Sequence, residues 1–122
     1  MGKKAWVASV CLAVVGVPAF GQAPAPNGAA TYKAKCGSCH SIPTNKIGPA
    51  HKGVFGRKAG LAAGYSYSAP LKGSGIVWND KTLDLWLQGP QKVVKGSKMF
   101  VAVPNAAERA AIIAYLKSPA AK

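Results

Sequence analysis

At 122 residues the chain makes one domain at most, and its 16 Lys plus Arg face only Asp80, Asp84 and Glu108, a formal charge of +13. Such a field favours anionic partners, whether nucleic acid, phospholipid or an acidic protein. The lysines are scattered through loops and helices with no basic helix and no run of five, which counts against a nucleic-acid binder.

Lys3 and Lys4 precede an apolar run from Ala5 to Val17, and the small-residue stretch Pro18-Ala19-Phe20-Gly21-Gln22-Ala23 follows. That is the three-part pattern of a secretory signal peptide. The run is well short of the ~20 residues that span a bilayer. Residues 1–22 therefore read as a signal cleaved near 21–23, and 23–122 as a single domain exported to the periplasm. Cys11 lies early in the apolar run behind a bulky Val10, which argues for filler and against lipid attachment. Without Lys3 and Lys4 the chain still carries +11. What remains can bury only a small core, which a large ligand would help to fill.

After a short lead-in, Gly28 to Lys35 reads as a brief helix with Tyr32 on its apolar side. Cys36-Gly37-Ser38-Cys39-His40 comes next. Two thiols separated by two residues can both add to the vinyl groups of one haem, and a histidine directly after the second falls under the iron as an axial ligand. The pentapeptide is the attachment signature for a covalently bound haem c. A redox-active dithiol is the first competing reading, but that motif usually opens a helix beside a strand, and no strand-like alternation is evident. A zinc site would need ligands beyond His51. A disulfide across so short a loop is geometrically unusual.

A Gly- and Pro-studded stretch, Gly37 to Gly75, shows few helical periods, and a loop that long marks a functional element such as the wrapping of a prosthetic group. His51 sits in it between Ala50 and Lys52, a polar setting that predicts a solvent-facing ring. Asn79-Asp80 predicts the start of a helix through Leu87, ended by Gly89-Pro90. The irregular segment Lys95-Gly96-Ser97-Lys98-Met99-Phe100 follows. With the signal removed, Met99 is the only methionine, and its thioether is the candidate sixth ligand, with His51 as the rival. A His/Met pair favours reduced iron. With both axial positions filled, no site stays open for substrate or oxygen, which favours electron transfer over catalysis. The last helix starts at Asn105 with Glu108 three positions on, a capping-box-like pattern. Ile112, Ile113 and Leu116 share one face with Arg109 a step earlier, and Ser118-Pro119 stops it. The fold class is all-α with heavy loops.

From Lys35 to about Ser118 the chain resembles the class I c-type cytochromes, the mitochondrial-type cytochromes c and bacterial cytochromes c2. The resemblance is carried, in order, by the haem motif, Ile47-Gly48-Pro49, Gly53-Val54-Phe55-Gly56-Arg57-Lys58, Gly64-Tyr65-Ser66-Tyr67, Gly75-Ile76-Val77-Trp78, Gly96-Ser97-Lys98-Met99 and Ala114-Tyr115-Leu116-Lys117. It implies the class I fold, short helices and long loops around one haem, and a single-haem electron carrier, monomeric and not an enzyme. It implies that the Pro49 carbonyl takes the ring N–H of His40. It implies that Arg57, Tyr67 and Trp78 donate to the buried haem propionate and that Phe100 lies along the exposed haem edge. Gly28 and Tyr32 would mark where the first helix crosses the last, near Leu116. Lys35, Lys92 and Lys98 would ring the haem edge and meet acidic faces of redox partners, a bc1-type complex, a terminal oxidase or a dehydrogenase. The chain departs from the pattern twice. Trp86 stands where a tyrosine usually reaches the methionine sulfur. Leu71 replaces an asparagine of the polar network, which predicts a drier pocket. The loop from His40 to Pro49 is also a few residues short. A small haem peroxidase or a haem subunit of a dehydrogenase is the rival class, and either would need Met99 to leave the iron.

Overall fold

The computed structural model describes residues 26–122 together with Gly2, Ala13 and Gly16, so the expected signal segment falls almost wholly outside the described residues. Among them, helices α1 (Gly28–Cys36), α2 (Ala69–Lys72), α3 (Asp80–Gln88), α4 (Pro90–Val93) and α5 (Ala106–Lys117) are followed by one 3-10 turn, Pro119–Ala121. Among the described residues the only strand-like pairing is the isolated bridge between Lys58 and Val77. The described helices include none long and apolar enough to cross a membrane. The all-α, loop-rich architecture read from the sequence is what the chain adopts.

Helix starts follow the side chains that satisfy their free N–H groups. Asn27 Oδ1 accepts from Ala30 N–H at α1, and Ser68 accepts from Leu71 N–H at α2. Asn79 and Thr82 form a full reciprocal capping box at α3. At α5 only half of the expected box exists. Asn105 accepts from Glu108 N–H, but the Glu108 carboxylate turns to Lys35 on α1, 3.3 Å away. Two single-turn helices were not legible as such. Gly37–Gly75 contains α2, and Gly89-Pro90 ends α3 but also begins α4, because proline suits the first turn of a helix as well as it breaks an interior.

Helix α1 crosses α5 at Gly28. A Cβ there would lie 2.7 Å from the Ala111 carbonyl oxygen and 3.1 Å from Tyr115 Cβ, so only glycine permits this approach. Tyr32 packs on Tyr115 with ring centroids 5.1 Å apart. Ile112, Ile113 and Leu116 of α5 are buried with Leu83, Trp86 and Leu87 of α3 in one cluster. Every carboxylate side chain of the protein staples two helices. Besides Lys35–Glu108, Arg109 Nε donates to Asp84 Oδ1 at 2.7 Å and Lys117 meets Asp80 at 3.1 Å, both joining α5 to α3. Helices α1, α3, α4 and α5 thus pack into one frame.

Candidate functional site

Inside that frame lies a cavity of about 370 Å³, walled mostly by apolar side chains. Cys36, Cys39, His40, Pro49, Arg57, Tyr67, Trp78, Met99 and Phe100 all line it, although they come from six separate stretches of chain. So do Trp86 and Leu71, the two departures from the resembled pattern.

The cysteines arise at the end of α1. Cys36 is its last residue, and the turn that follows is closed by Cys39 N–H and His40 N–H donating to Cys36 O at 3.1 and 2.8 Å. Both cysteines are free thiols. Burial, then the neighbouring Cys39, pushes the Cys36 thiol up to about 11, so Cys36 is no thiolate at neutral pH. That is unlike the low-pKa thiolate of an activated dithiol. Among the described residues no group of three His, Cys, Asp or Glu side chains is arranged to hold a metal ion by itself.

His40 is oriented from behind. Its Nδ1 lies 2.8 Å from Pro49 O and donates to that carbonyl, which commits Nε2 to the cavity side as a bare acceptor or ligand. Burial holds the imidazole below its ordinary range, with the Pro49 bond opposing, so it is neutral. A Cβ on Gly48 would fall on the His40 ring, so this residue must be glycine for the ring to sit where it does.

His51 corrects an expectation. It is half-buried and not turned fully to solvent. Its ring stacks on that of His40 with centroids 4.0 Å apart, and Tyr32 Oη lies 2.8 Å from its Nδ1. Burial, then repulsion from His40 and Arg57, pushes it down to about 3, so it too is neutral. It lines the same cavity as His40 and Met99, but its ring is stacked on that of His40 and its Nδ1 is taken by Tyr32.

On Met99 the Trp86 indole N–H donates to Sδ at 3.2 Å. The substitution of tryptophan for the usual tyrosine therefore keeps a donor on the sulfur. Trp78 packs edge-on against Trp86, centroids 5.2 Å apart, and its own N–H makes no hydrogen bond to another described residue. Tyr67 Oη accepts from Ala62 N–H at 3.0 Å, which leaves its proton for another acceptor. Arg57 spends two donors on Lys52 O and Ala50 O, 2.7 and 3.2 Å away. Phe100 is 78% exposed and stands at the mouth. Of the three expected docking lysines, Lys35 and Lys98 line the cavity and Lys92 does not. Lys35 is also paired with Glu108.

Sequence reasoning missed Gln91. Its amide nitrogen lies 2.8 Å from Ser97 O, Ser97 Oγ and Met99 O alike. No periodicity or motif would have marked it.

The residues fit a covalently held haem on the chemistry of the donor set. Two free thiols and one oriented neutral imidazole stand on one side of an apolar cavity, and a thioether with a fixed donor stands on its wall. The Trp78 N–H and Tyr67 O–H supply uncommitted donors of the kind a buried anionic group needs.

Comparison with known proteins points the same way. The family model described as Cytochrome c matches residues 25–119. Cytochrome c of Gibberella zeae is 46% identical over 94 residues, covering 74% of this chain and 89% of that protein. Cytochrome c2 iso-2 of Magnetospirillum fulvum is 46% identical over 86 residues, covering 68% and 90%. Among solved structures, cytochrome cH from Methylobacterium extorquens aligns with a TM-score of 0.70 at 43% identity, covering 74% of this chain and 93% of that one.

Proposed function

We propose, since this chain belongs to the cytochrome c family and is a haem electron carrier with one covalently attached haem c, that it is a soluble shuttle between respiratory redox partners in the periplasm. Residues 1–22 are its export signal and 23–122 its single domain, which works as a monomer and not as an enzyme. The haem supplies a single iron that cycles between ferrous and ferric. The protein's part is to hold it in place, set its potential and exclude water.

In this reading Cys36 and Cys39 would hold the porphyrin through thioether bonds, and His40 and Met99 would be the residues that ligate its iron. Pro49 O fixes the plane and tautomer of His40. Trp86 N–H, donating to Met99 Sδ, weakens the sulfur as an electron donor. Trp78 and Tyr67 donate to the haem propionate, as does Arg57 with the donors not committed to Ala50 O and Lys52 O. Phe100, exposed at the mouth, lies along the accessible edge, and Lys35 and Lys98 flank it. The partners are acidic faces of a bc1-type complex, an oxidase or a dehydrogenase, met in fast, salt-sensitive encounters of small area.

The observation that carries this reading is one apolar cavity holding both thiols, the Pro49-bonded imidazole and the Trp86-bonded thioether. An absorption spectrum of the ferric protein tests it. A weak band near the red end marks sulfur on ferric iron, and its absence would leave an open position and favour a peroxidase.

A further inference from the structure

Met99 sits on a segment with almost no backbone support. Ser97 N–H donates to Val94 O at 3.1 Å, and the next N–H with a backbone acceptor is that of Val103, 2.7 Å from Leu87 O. Among the described residues, residues 98–102 make no such bond. One side chain bridges this gap. Gln91, in α4, donates from Nε2 to Ser97 O and Met99 O at 2.8 Å each, with the Ser97 hydroxyl sharing a proton. Its Oε1 accepts from Gly96 N–H at 3.2 Å. Ser97 is 2% exposed, so the network is anchored inside the fold. The other ties on the segment are single bonds, Ser97 Oγ to Met99 O at 3.5 Å, Trp86 N–H to Met99 Sδ and Lys98 Nζ to Ser66 O at 2.5 Å.

We propose that Gln91 is a positioning residue that latches the Met99 segment over the haem pocket and so sets how readily an external ligand replaces Met99. The proposal rests on the reading of Met99 as an axial ligand. An incoming ligand can reach the iron on that side only when the segment swings away, and the swing must break the bond from Gln91 to Met99 O, which the bonds to Ser97 O and Gly96 N–H hold in place. A primary amide suits this task. Only a side chain with two donors and a carbonyl acceptor on one sp² centre can serve two carbonyls and an N–H at once. Glutamate lacks the donors, and methionine of similar length lacks both.

The test uses the haem-loaded ferric protein and cyanide. Wild type, Gln91→Glu and Gln91→Met are mixed with cyanide and followed by absorption, after the red-end band has been recorded for each. Gln88→Ala and Asp84→Asn serve as controls. The Gln88 amide donates to Asp84 Oδ2, away from this segment, and Asp84→Asn loosens the α3–α5 staple. Both Gln91 variants are expected to bind cyanide about tenfold faster or more, as loss of at least one net hydrogen bond in the closed state implies. The two controls are expected to stay within about twofold of wild type, whatever their thermal stability. Unchanged rates in both Gln91 variants, with the band present in wild type, overturn the latch alone. So does equal acceleration in the controls, because general loosening then explains it. A wild type that lacks the band and binds cyanide as fast as its variants overturns the latch together with the axial role of Met99.

Discussion

Trp86→Phe removes the one donor on the Met99 sulfur while keeping an aromatic ring. The indole is 7% exposed, its N–H lies 3.2 Å from Sδ, and its ring is held edge-on by Trp78. A neutral hydrogen bond of this kind nets about 1 kcal/mol. Donation to the sulfur draws density from the lone pair that would bind iron, and ferric iron loses more by this than ferrous. The bond therefore favours the reduced state by a part of its strength, roughly 0.4 kcal/mol. At about 59 mV per tenfold change in a one-electron equilibrium, that is a fall of about 15–20 mV in midpoint potential on substitution. Water entering the space left by the smaller ring would stabilise the higher charge and push the same way. Trp86→Tyr separates the two effects, because its hydroxyl restores a donor in a similarly smaller ring. Spectroelectrochemical titration should find Trp86→Phe below wild type and Trp86→Tyr largely restored. A Trp86→Phe potential equal to or above wild type would refute the reasoning, and equal falls in both variants would assign the effect to space rather than to the donor.

Asp84→Asn should cost about 1 kcal/mol. The charge-assisted bond to Arg109 would be worth ~1.5–3, but the Asp84 side chain is 40% exposed and the value is discounted for solvent screening. In a domain of this size thermal unfolding should fall by roughly 4–8 °C. The bond from Arg109 holds the Asp84 carboxyl below its ordinary range. The contribution is therefore complete above the ordinary carboxylate value of ~3.9 and is lost as pH falls through the depressed folded value, so wild type and variant should converge in acid. Gly28→Ala should destabilise by roughly 1–3 kcal/mol, seen in denaturant titration, because its Cβ meets backbone at Ala111 that cannot give without moving α5. The association rate with an acidic redox partner, measured by stopped flow, should fall steeply with ionic strength, and a flat profile would contradict docking through Lys35 and Lys98.

Features fixed by neighbours in sequence were legible in it. Asn79 and Asn105 cap their helices as their positions imply, and the thiol–thiol–imidazole spacing is local chemistry. Features fixed by distant partners were not. His51 reads as a loop residue because Lys52 and a Gly- and Pro-rich stretch surround it, yet Tyr32, 19 positions earlier, bonds its ring, which stacks on His40. Glu108 reads as half of a capping box, but Lys35 of another helix outcompetes its own N-cap. The destination of the Trp86 indole was open until the fold brought Met99 to it. Gln91 carries no pattern at all, because its acceptors are backbone carbonyls that any sequence supplies. The pull of such contacts exceeds the few tenths of a kcal/mol by which local preferences differ.

The most direct test is the mass of the peptide spanning Cys36 and Cys39 from protein purified out of its native host. The account predicts one porphyrin on that peptide, bound through both sulfurs and surviving denaturation. The same peptide recovered with two unmodified thiols would contradict it.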